Sequence, residues 1–398
     1  MASPSLTENK PLLLLRLWRN KEYRSVFIQI TTILILFTFL GMIGQNVVTN
    51  LEKAGKEFSF GFLSYPAGYD ITFQPFISFS PTDTHLRAAV VGLLNTLLVA
   101  VTGVIIASIL GFTMGVLRLS KNWLINKIVY VFLEFTRNIP VLLHIFFIYG
   151  IFLYVLPVPK KAVSISDTVF LTNRGFFIPS LVFEDGFGYV LLALLAAVAA
   201  VIAFVIWERK NQDETGENYP VFSISAAIII GLPLLTFFIS GSPLSWDLPA
   251  IKGFNFKGGT SIKPEYIALT FALAYYTSCF IAEIVRSGIL AVSKGQTEAS
   301  HALGLTHGST LKLVIIPQAL RVIIPPLASQ YLNLTKNSSL AIAIGYMDVV
   351  ATIGGISLMQ TGKEMETMIF VLLTYLSISL LISAFMNWFN KRMSLVER

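Results

Sequence analysis

Ionisable and amide side chains interrupt several apolar stretches of this 398-residue sequence. A charged side chain in hydrocarbon costs at least about 2.5 kcal/mol on membrane-insertion scales, so a membrane segment that retains one is a candidate binding site or polar path. Cations in such a path can hold the anionic group of a solute, and carboxylates can hold its cationic group. The candidates are Asn95, Glu134, Arg137, His144, Glu283, Arg286, Arg321 and Lys336.

Several of these residues also have a structural interpretation. Arg286 and Arg321 can extend along their aliphatic stems to reach the membrane surface. Glu283 and Arg286 are an i, i+3 pair on one helical face, where they either form a local salt bridge or contribute to the path.

Two further groups have the same two interpretations. Arg137 and His144 are seven residues apart, so on a continuous helix they share one face, and that face could line a polar path. For His144, Asn333 and Lys336 the alternative to a substrate path is hydrogen bonding or packing between helices.

Two adjacent prolines, Pro325 and Pro326, fall in the middle of an apolar stretch. A proline inside a membrane helix removes an internal hydrogen bond and bends the helix. We therefore expect gating at this point, and the alternative is an ordinary kink between packed helices. The half of the segment beyond the prolines is unusually polar, with Asn333, Asn337, Ser338 and Ser339.

Residues 283–317 form a charged, glycine-punctuated stretch between two apolar segments. The composition predicts a short helix from Gln296 to Ala302, with Thr297 as its cap and Glu298 near the positive end of the helix dipole. Gly304 permits a left-handed stop or the close approach of another backbone. Such a helix on the cytoplasmic face could be bound by a separate soluble motor, although a short loop between two spans can have the same composition.

Composition assigns the chain to the membrane. Hydrophobic residues make up 55% and charged residues 13% of the sequence, whereas soluble globular domains contain about 25% charged residues. The net charge of +7 comes from Lys and Arg beside apolar segments, as the positive-inside rule requires, so no nucleic-acid partner is implied. Cys279 is the only cysteine, which excludes an intrachain disulfide.

Eight apolar stretches are long enough to cross a bilayer, which takes about 20 residues. The first lacks a cleavage site and is predicted to be an uncleaved helix. An even number of spans and the Lys and Arg distribution place both termini in the cytoplasm. The predicted spans are about 26–48, 86–117, 126–156, 187–207, 220–240, 265–290, 313–345 and 366–390.

An ordered set of motifs resembles the polar amino-acid permeases of ABC importers, the histidine and glutamine permease (MetI-like) family. Glu298-Ala299-Ser300 with Gly304 and a downstream Pro317 resembles the EAA loop of these permeases. The other matching elements are Gly92-x-x-Asn95-Thr96-Leu97, Phe135-Thr136-Arg137-Asn138-Ile139-Pro140, Glu283-x-x-Arg286-x-Gly288, Lys294-Gly295-Gln296-x-Glu298-Ala299, Pro317-Gln318-Ala319-x-Arg321 and Asn333-Leu334-x-Lys336-x-Ser338-Ser339.

The resemblance implies an all-α polytopic protein with a five-helix ABC type I core. The chain departs from the family in having about eight predicted transmembrane helices. Residues 1–87 would hold the cytoplasmic N-terminus, the first helix and an external loop. Residues 88–390 would form the permease domain, interrupted by an inserted helix pair at about 187–240, and 391–398 the cytoplasmic C-terminus. This enlarged layout is similar to the larger-loop permease subunit of the general L-amino-acid (Aap/Bzt) transporters.

The resemblance also implies roles for particular residues. Gln296, Glu298, Ala299, Ser300, Gly304 and Pro317 would couple the permease to an ATPase. Asn95, Arg137, His144, Glu283, Asn333, Lys336 and Ser338 are the candidates for the substrate path, with Pro325 and Pro326 for gating. Ser300 departs from the second Ala of the motif as a small-for-small change, which should leave docking intact. Asn138-Ile139 replace Gly-Thr, and Ile316 replaces Leu.

The implied protein is the non-catalytic permease of an importer in the bacterial inner membrane. The sequence lacks the G-x-x-x-x-G-K-[ST] phosphate loop, so ATP and Mg would bind to a partner ATPase, and no cofactor or metal is expected in this chain. A periplasmic amino-acid-binding protein and a second, related permease in a heterodimer are the other expected partners, with L-amino acids as substrate and lipid around the spans. The alternatives are an ion-coupled secondary amino-acid transporter and, less supported, a membrane enzyme or receptor.

Overall fold

The computed structural model of the protein describes residues 21–393. The predicted cytoplasmic location of the two termini concerns residues 1–20 and 394–398, which lie outside the described residues. Within residues 21–393, seven helices are long and apolar enough to cross a membrane, and a sharply bent pair is an eighth candidate. The helices are α1 Lys21–Lys53, α2 His85–Leu117, α3 Trp123–Asn138, α4 Val141–Gly150, α5 Phe187–Thr215, α6 Val221–Ile239, α7 Pro264–Leu290, α8 Lys294–Ala302, α9 His307–Thr310, α10 Ile316–Asn337, α11 Leu358–Thr361 and α12 Glu364–Met393.

Six short helical turns extend or join these helices. Three are 3₁₀ turns, Phe60–Ser64, Pro159–Lys161 and Ser338–Ile344, and three are π turns, Ile151–Val155, Leu311–Ile315 and Val350–Ser357. The predicted helical, polytopic fold is therefore confirmed, and the predicted spans match the observed helices apart from the third.

Helix α7 lies at the centre of the core, packed against α2, α4 and α10. Glycines on α2 permit the closest of these contacts. A Cβ at Gly111 would lie 2.6 Å from the side chain of Ile281, and one at Gly115 would lie 2.7 Å from that of Val285. Small residues spaced by four let two membrane helices approach until their backbones nearly touch, and here they bring α2 and α7 together.

The three helices that exceed the expected five-helix core lie at its periphery. None of the described side chains of α1 or α6 is buried, and in α5 only Ala197 and Glu208 are. Helices α5 and α6 pack chiefly against each other. Apolar side chains exposed in this way are stable in lipid, so these helices need no protein partner to cross the bilayer.

The third predicted span, 126–156, is not one straight helix. Helix α3 ends at Asn138 and α4 begins at Val141, and the two axes are bent by 103°. Pro140 explains the break, because a proline disfavours helical backbone at the residue before it. Ile139 accordingly has an extended conformation, with φ −102° and ψ 133°.

Eight short strands occupy the segments on either side of α5 and α6. One antiparallel sheet has the order β1-β2-β3-β8, and β4 pairs with β5 and β6 with β7 in two antiparallel two-stranded sheets. The pairing of β3 with β8 brings the two ends of the inserted segment together, since Phe176 lies opposite Ile262. The strands are β1 Val163–Ser166, β2 Val169–Thr172, β3 Gly175–Ile178, β4 Ser180–Phe183, β5 Leu244–Asp247, β6 Ala250–Lys252, β7 Asn255–Lys257 and β8 Thr260–Ile262.

Candidate functional site

The predicted short helix exists as α8, but it starts earlier than expected. Ser293 is the N-cap residue, with extended backbone, and no side chain caps the helix. The predicted cap, Thr297, is wrong because Gln296 N already donates to Ser293 O at 3.1 Å. Thr297 is thus the fourth residue of the helix. Helix α8 begins three residues after the end of α7, which places its start before the predicted one.

The predicted left-handed stop at Gly304 is present. Gly304 has φ +77°, its N–H donates to His301 O at 2.9 Å, and Leu305 N donates to Ser300 O at 3.1 Å. These two bonds form a Schellman motif, which satisfies the last carbonyls of a helix. No atom lies within 4 Å of the Cβ that another residue would carry, so the position requires backbone freedom rather than space.

Ser300 is the only buried side chain of α8. Its hydroxyl donates to Thr297 O at 2.7 Å and lies 3.0 Å from Thr310 Oγ1 in α9. Gln318 Nε2, near the start of α10, donates to Gln296 Oε1 at 3.3 Å. Helix α8 is therefore attached to the segment that leads into the next span.

The rest of α8 is open to solvent. Gln296, Glu298 and Ala299 are exposed, and in the described part of the chain Glu298 makes no ion pair and no hydrogen bond that would cap its own helix. Pro317 is the second residue of α10, directly after the π turn Leu311–Ile315. The six predicted coupling residues thus lie on α8 or at the turns that follow it.

Helix α10 presents a polar face that the described chain leaves uncovered. Its exposed residues recur every three or four positions, which places them on one side of the helix. Asn333 and Lys336 lie on this face, while Ser338 is buried and donates to Thr335 O at 2.7 Å. Ser329 shares the exposed face and was missed in the sequence. Beyond the first turn of α10, the exposed residues are Val322, Pro325, Pro326, Ser329, Asn333 and Lys336.

The helix continues through Pro325 and Pro326. Both prolines are exposed, so they lie on the side of the helix that faces away from the core.

Asn95 lies in a different place from the exposed face of α10. It is fully buried, and its Nδ2 donates to Phe73 O and Met347 O, each at 2.9 Å. Thr96 Oγ1 accepts from Val349 N at 3.2 Å. A Cβ at Gly92 would lie 2.9 Å from the carbonyl oxygen of Asp348. The Gly-x-x-Asn-Thr-Leu element of α2 therefore packs against residues 346–352 and is hydrogen-bonded to them.

Arg137 and His144 do not share a helical face, contrary to the sequence-based expectation, because the 103° bend separates them. His144 is buried in α4, where its Nε2 donates to Thr136 O at 3.1 Å and its Nδ1 accepts from the Tyr275 hydroxyl. With both ring nitrogens engaged, His144 joins the bend to α7. Arg137 lies in the last turn of α3, 3.6 Å from the carboxylate of Glu134.

Glu283 and Arg286 form the local salt bridge that their spacing predicts. Arg286 Nη2 lies 2.5 Å from Glu283 Oε1, and Arg286 Nε donates to both carboxylate oxygens at 3.0 and 3.1 Å. Arg118 and Arg137 also attract this carboxylate. The charges at this end of α7 are thus arranged as a cluster joining α2, α3 and α7.

Asp348 is a buried acid that no sequence motif identified. Its Oδ1 accepts from Ala351 N at 2.8 Å and its Oδ2 from the Tyr375 hydroxyl at 3.1 Å. The carboxylate thereby caps the helical turn Val350–Ser357 and attaches it to α12. Burial raises the pKa of the Asp348 carboxyl to about 7, although these hydrogen bonds oppose the shift.

Comparison with known proteins identifies the family. Residues 215–395 match the family described as binding-protein-dependent transport system inner membrane component. The chain is 50% identical to the general L-amino acid transport system permease protein AapQ of Rhizobium johnstonii, over 95% of this chain and 94% of that protein. The chain belongs to the amino-acid ABC transporter permeases. This permease is also 45% identical to BztB, a permease protein of the glutamate/glutamine/aspartate/asparagine transport system of Rhodobacter capsulatus, over 95% and 96% of the two chains.

A second permease protein of that same Rhodobacter system, BztC, is 30% identical over 53% of this permease and 48% of BztC. The predicted resemblance to the MetI-like and Aap/Bzt permeases is therefore confirmed. This permease is a multi-span inner-membrane component of a binding-protein-dependent ABC importer.

Proposed function

We propose that this permease translocates L-amino acids and is driven by ATP hydrolysis on a separate ATPase that binds α8. The observation that carries the proposal is an exposed helix of nine residues fixed at both ends. Ser300 and the Schellman turn at Gly304 hold its shape, while Gln296, Glu298 and Ala299 are exposed on its surface. The amino acids named for AapQ and BztB support the cargo.

In this mechanism the permease contributes no catalytic group. ATP and Mg bind to the ATPase, and closure of the ATPase moves α8 as a rigid body. Helix α8 follows α7 after three residues, and α9 and the π turn Leu311–Ile315 connect it to α10. Its displacement therefore reaches two central helices of the core. Pro317 begins α10 and sets the direction in which that movement enters the membrane.

The substrate path is proposed along the polar face of α10. Ser329, Asn333 and Lys336 are exposed within a span, and exposed polar groups at membrane depth are stable where they face a protein partner or a water-filled path. The Lys336 ammonium suits the carboxylate of an amino acid, and the Asn333 amide can bind either of its charged groups. Pro325 and Pro326 on the same face remain the gating candidates.

The proposed assembly pairs this permease with a second, related one, because the chain resembles both BztB and BztC, which serve one transport system. Two ATPase subunits and a periplasmic amino-acid-binding protein complete it. The permease domain would occupy 88–390 with the 187–240 insertion, and both termini would be cytoplasmic, which places α8 on the ATPase side.

Reversing the charge of Glu298 tests the coupling role. In the assembled transporter in proteoliposomes, Glu298→Arg should abolish ATP-driven uptake of amino acids, either by releasing the ATPase or by uncoupling its activity from transport. Asp213→Arg, an exposed acid in the α5–α6 region that makes no ion pair among the described residues, is the matched control and should leave uptake unchanged. Normal uptake by Glu298→Arg would exclude the proposed coupling site, and uptake that needs an ion gradient rather than ATP would favour a secondary transporter.

A further inference from the structure

Helix α3 exposes a continuous apolar face. Leu124, Ile128, Val131 and Phe135 are each more than half exposed, at 56%, 60%, 54% and 66%. Steps of four, three and four residues place them on one side of a helix. Nothing in residues 21–393 covers this side.

A second face of α3 packs against the core. Leu133 is buried with Cys279 and Ala282 of α7, and Val129 and Met114 pack against the same cluster. This face fixes where α3 sits along α7, at the turn that precedes Glu283.

The third face is charged. Lys127, Glu134 and Arg137 follow one another around the helix, at angles of about 70° to 150° from the middle of the exposed apolar face at 100° per residue. Tyr130 lies among them, with the Arg118 guanidinium 4.6 Å and the Lys127 ammonium 5.4 Å from its ring centroid. Helix α3 thus separates a lipid-like face, a protein face and a polar face.

The level of α3 along α7 matches a membrane surface. Glu265 and Glu283 are the acidic residues of α7, 18 positions apart, which corresponds to about 27 Å at 1.5 Å per residue and is close to the ~30 Å thickness of the hydrocarbon core. Helix α3 crosses α7 at the Glu283 end of this interval. Its 16 residues span about 24 Å, and its axis is bent by 103° from the helical segment that α4 and the turn Ile151–Val155 form.

We propose that α3 lies in the plane of the membrane surface, with its apolar face in the acyl-chain boundary and its charged face towards water and lipid headgroups. The partner is the bilayer itself. Arg118, Lys121 and Lys127 give this end of the helix an excess of positive charge, which suits anionic headgroups. An amphipathic helix with basic and aromatic residues at its polar side is the type that binds at this depth. The assignment of α3 to the membrane surface goes beyond the proposed function. That this surface is the cytoplasmic one rests on the proposed function.

Spin-label depth measurements test the proposal on the assembled transporter in nanodiscs of phosphatidylethanolamine and phosphatidylglycerol. Cysteines replace Leu124, Ile128, Val131 and Phe135, one at a time, in a Cys279→Ala background. If that background fails to assemble, the unmodified chain serves instead, because Cys279 is buried and unreactive to the label. The matched controls are Leu191→Cys, Leu195→Cys and Ile202→Cys on α5, whose ends are also 11 residues apart and whose helix crosses the bilayer.

A helix in the surface plane gives high oxygen and low nickel-chelate accessibility at all four α3 positions, at depths equal within about 4 Å, while 11 residues of a crossing helix change depth by about 16 Å. Lys127→Cys should instead be accessible to the nickel chelate. Two results would overturn the proposal: a depth that rises along α3 as it does along α5, or low accessibility to both reagents, which would mean that the partner permease covers this face.

Discussion

The Ser300 hydroxyl lies 3.0 Å from Thr310 Oγ1, joining the helix proposed to contact the ATPase to the turn that leads into α10. Both side chains are buried, at 3% and 1% exposure. The small-for-small change from the second Ala of the family motif has therefore added a hydrogen bond between two short helices that otherwise have few contacts.

Replacing Ser300 by Ala restores the family residue and removes this bond. We expect Ser300→Ala to lower the free energy of unfolding of the assembled transporter by about 1 kcal/mol and to leave ATP-driven uptake within about twofold of wild type, since the exposed surface of α8 is unchanged. Ala299→Ser, one residue earlier and exposed, should change neither quantity. Loss of uptake with normal assembly in Ser300→Ala would mean that the hydroxyl takes part in coupling itself.

Gly304→Ala tests whether the Schellman turn sets the shape of α8. The substitution adds no clash, so its cost is the left-handed backbone alone, roughly 1 to 2 kcal/mol for a residue with a Cβ. We expect weaker ATPase binding in a pull-down and reduced uptake, with Gly304→Asn less affected because Asn tolerates this conformation. Gly308→Ala is the matched control, since Gly308 has open space and no positive φ. Equal effects at 304 and 308 would contradict the proposed role of the turn.

Features that depend on a few neighbouring residues could be predicted from the sequence, and features that depend on distant residues could not. Gly304 was predicted correctly because its conformation depends on its own backbone. Thr297 was misassigned as a cap because the start of α8 is set by the end of α7. The shared face of Arg137 and His144 assumed a continuous helix, and the extended backbone at Ile139 removes that premise.

Burial explains most of what the sequence did not reveal. An Asn in an apolar segment has the same sequence pattern whether it lines a path, as proposed for Asn333, or holds a turn, as Asn95 does. Asp348 lies between two apolar runs and has no partner nearby in the sequence except the backbone that it caps. Its other partner, Tyr375, is 27 residues away, a distance that no local pattern indicates.

Lys336 tests the proposed path. We expect Lys336→Gln to reduce uptake at least tenfold by raising the KM for amino acid, because the variant loses the cation that holds the substrate carboxylate. Lys336→Arg should keep part of the activity. Assembly should be unchanged, since the side chain is exposed in the described chain. An unchanged KM in Lys336→Gln would remove Lys336 from the path, and Ser339→Ala, on a partly buried neighbour, controls for local disturbance.

We expect the stability of the folded permease to depend on pH because of Asp348. Its pKa is raised from the model-compound value of 3.8 to about 7 in the folded protein, so between these values the folded state binds more protons than the unfolded state. The stability that this group contributes is complete below about pH 4 and is lost as the pH rises through 7. Asp348→Asn keeps the shape and the cap acceptor but cannot ionise.

The relative thermal stability of Asp348→Asn against wild type should therefore improve from pH 5 to pH 8, measured as the midpoint of unfolding of the assembled transporter in one detergent. Asp213→Asn, an exposed acid, should show no such trend. Tyr375→Phe removes the hydroxyl that stabilises the carboxylate and should extend the loss of stability to higher pH. A difference between Asp348→Asn and wild type that is constant over this range would show that Asp348 keeps the same charge throughout it.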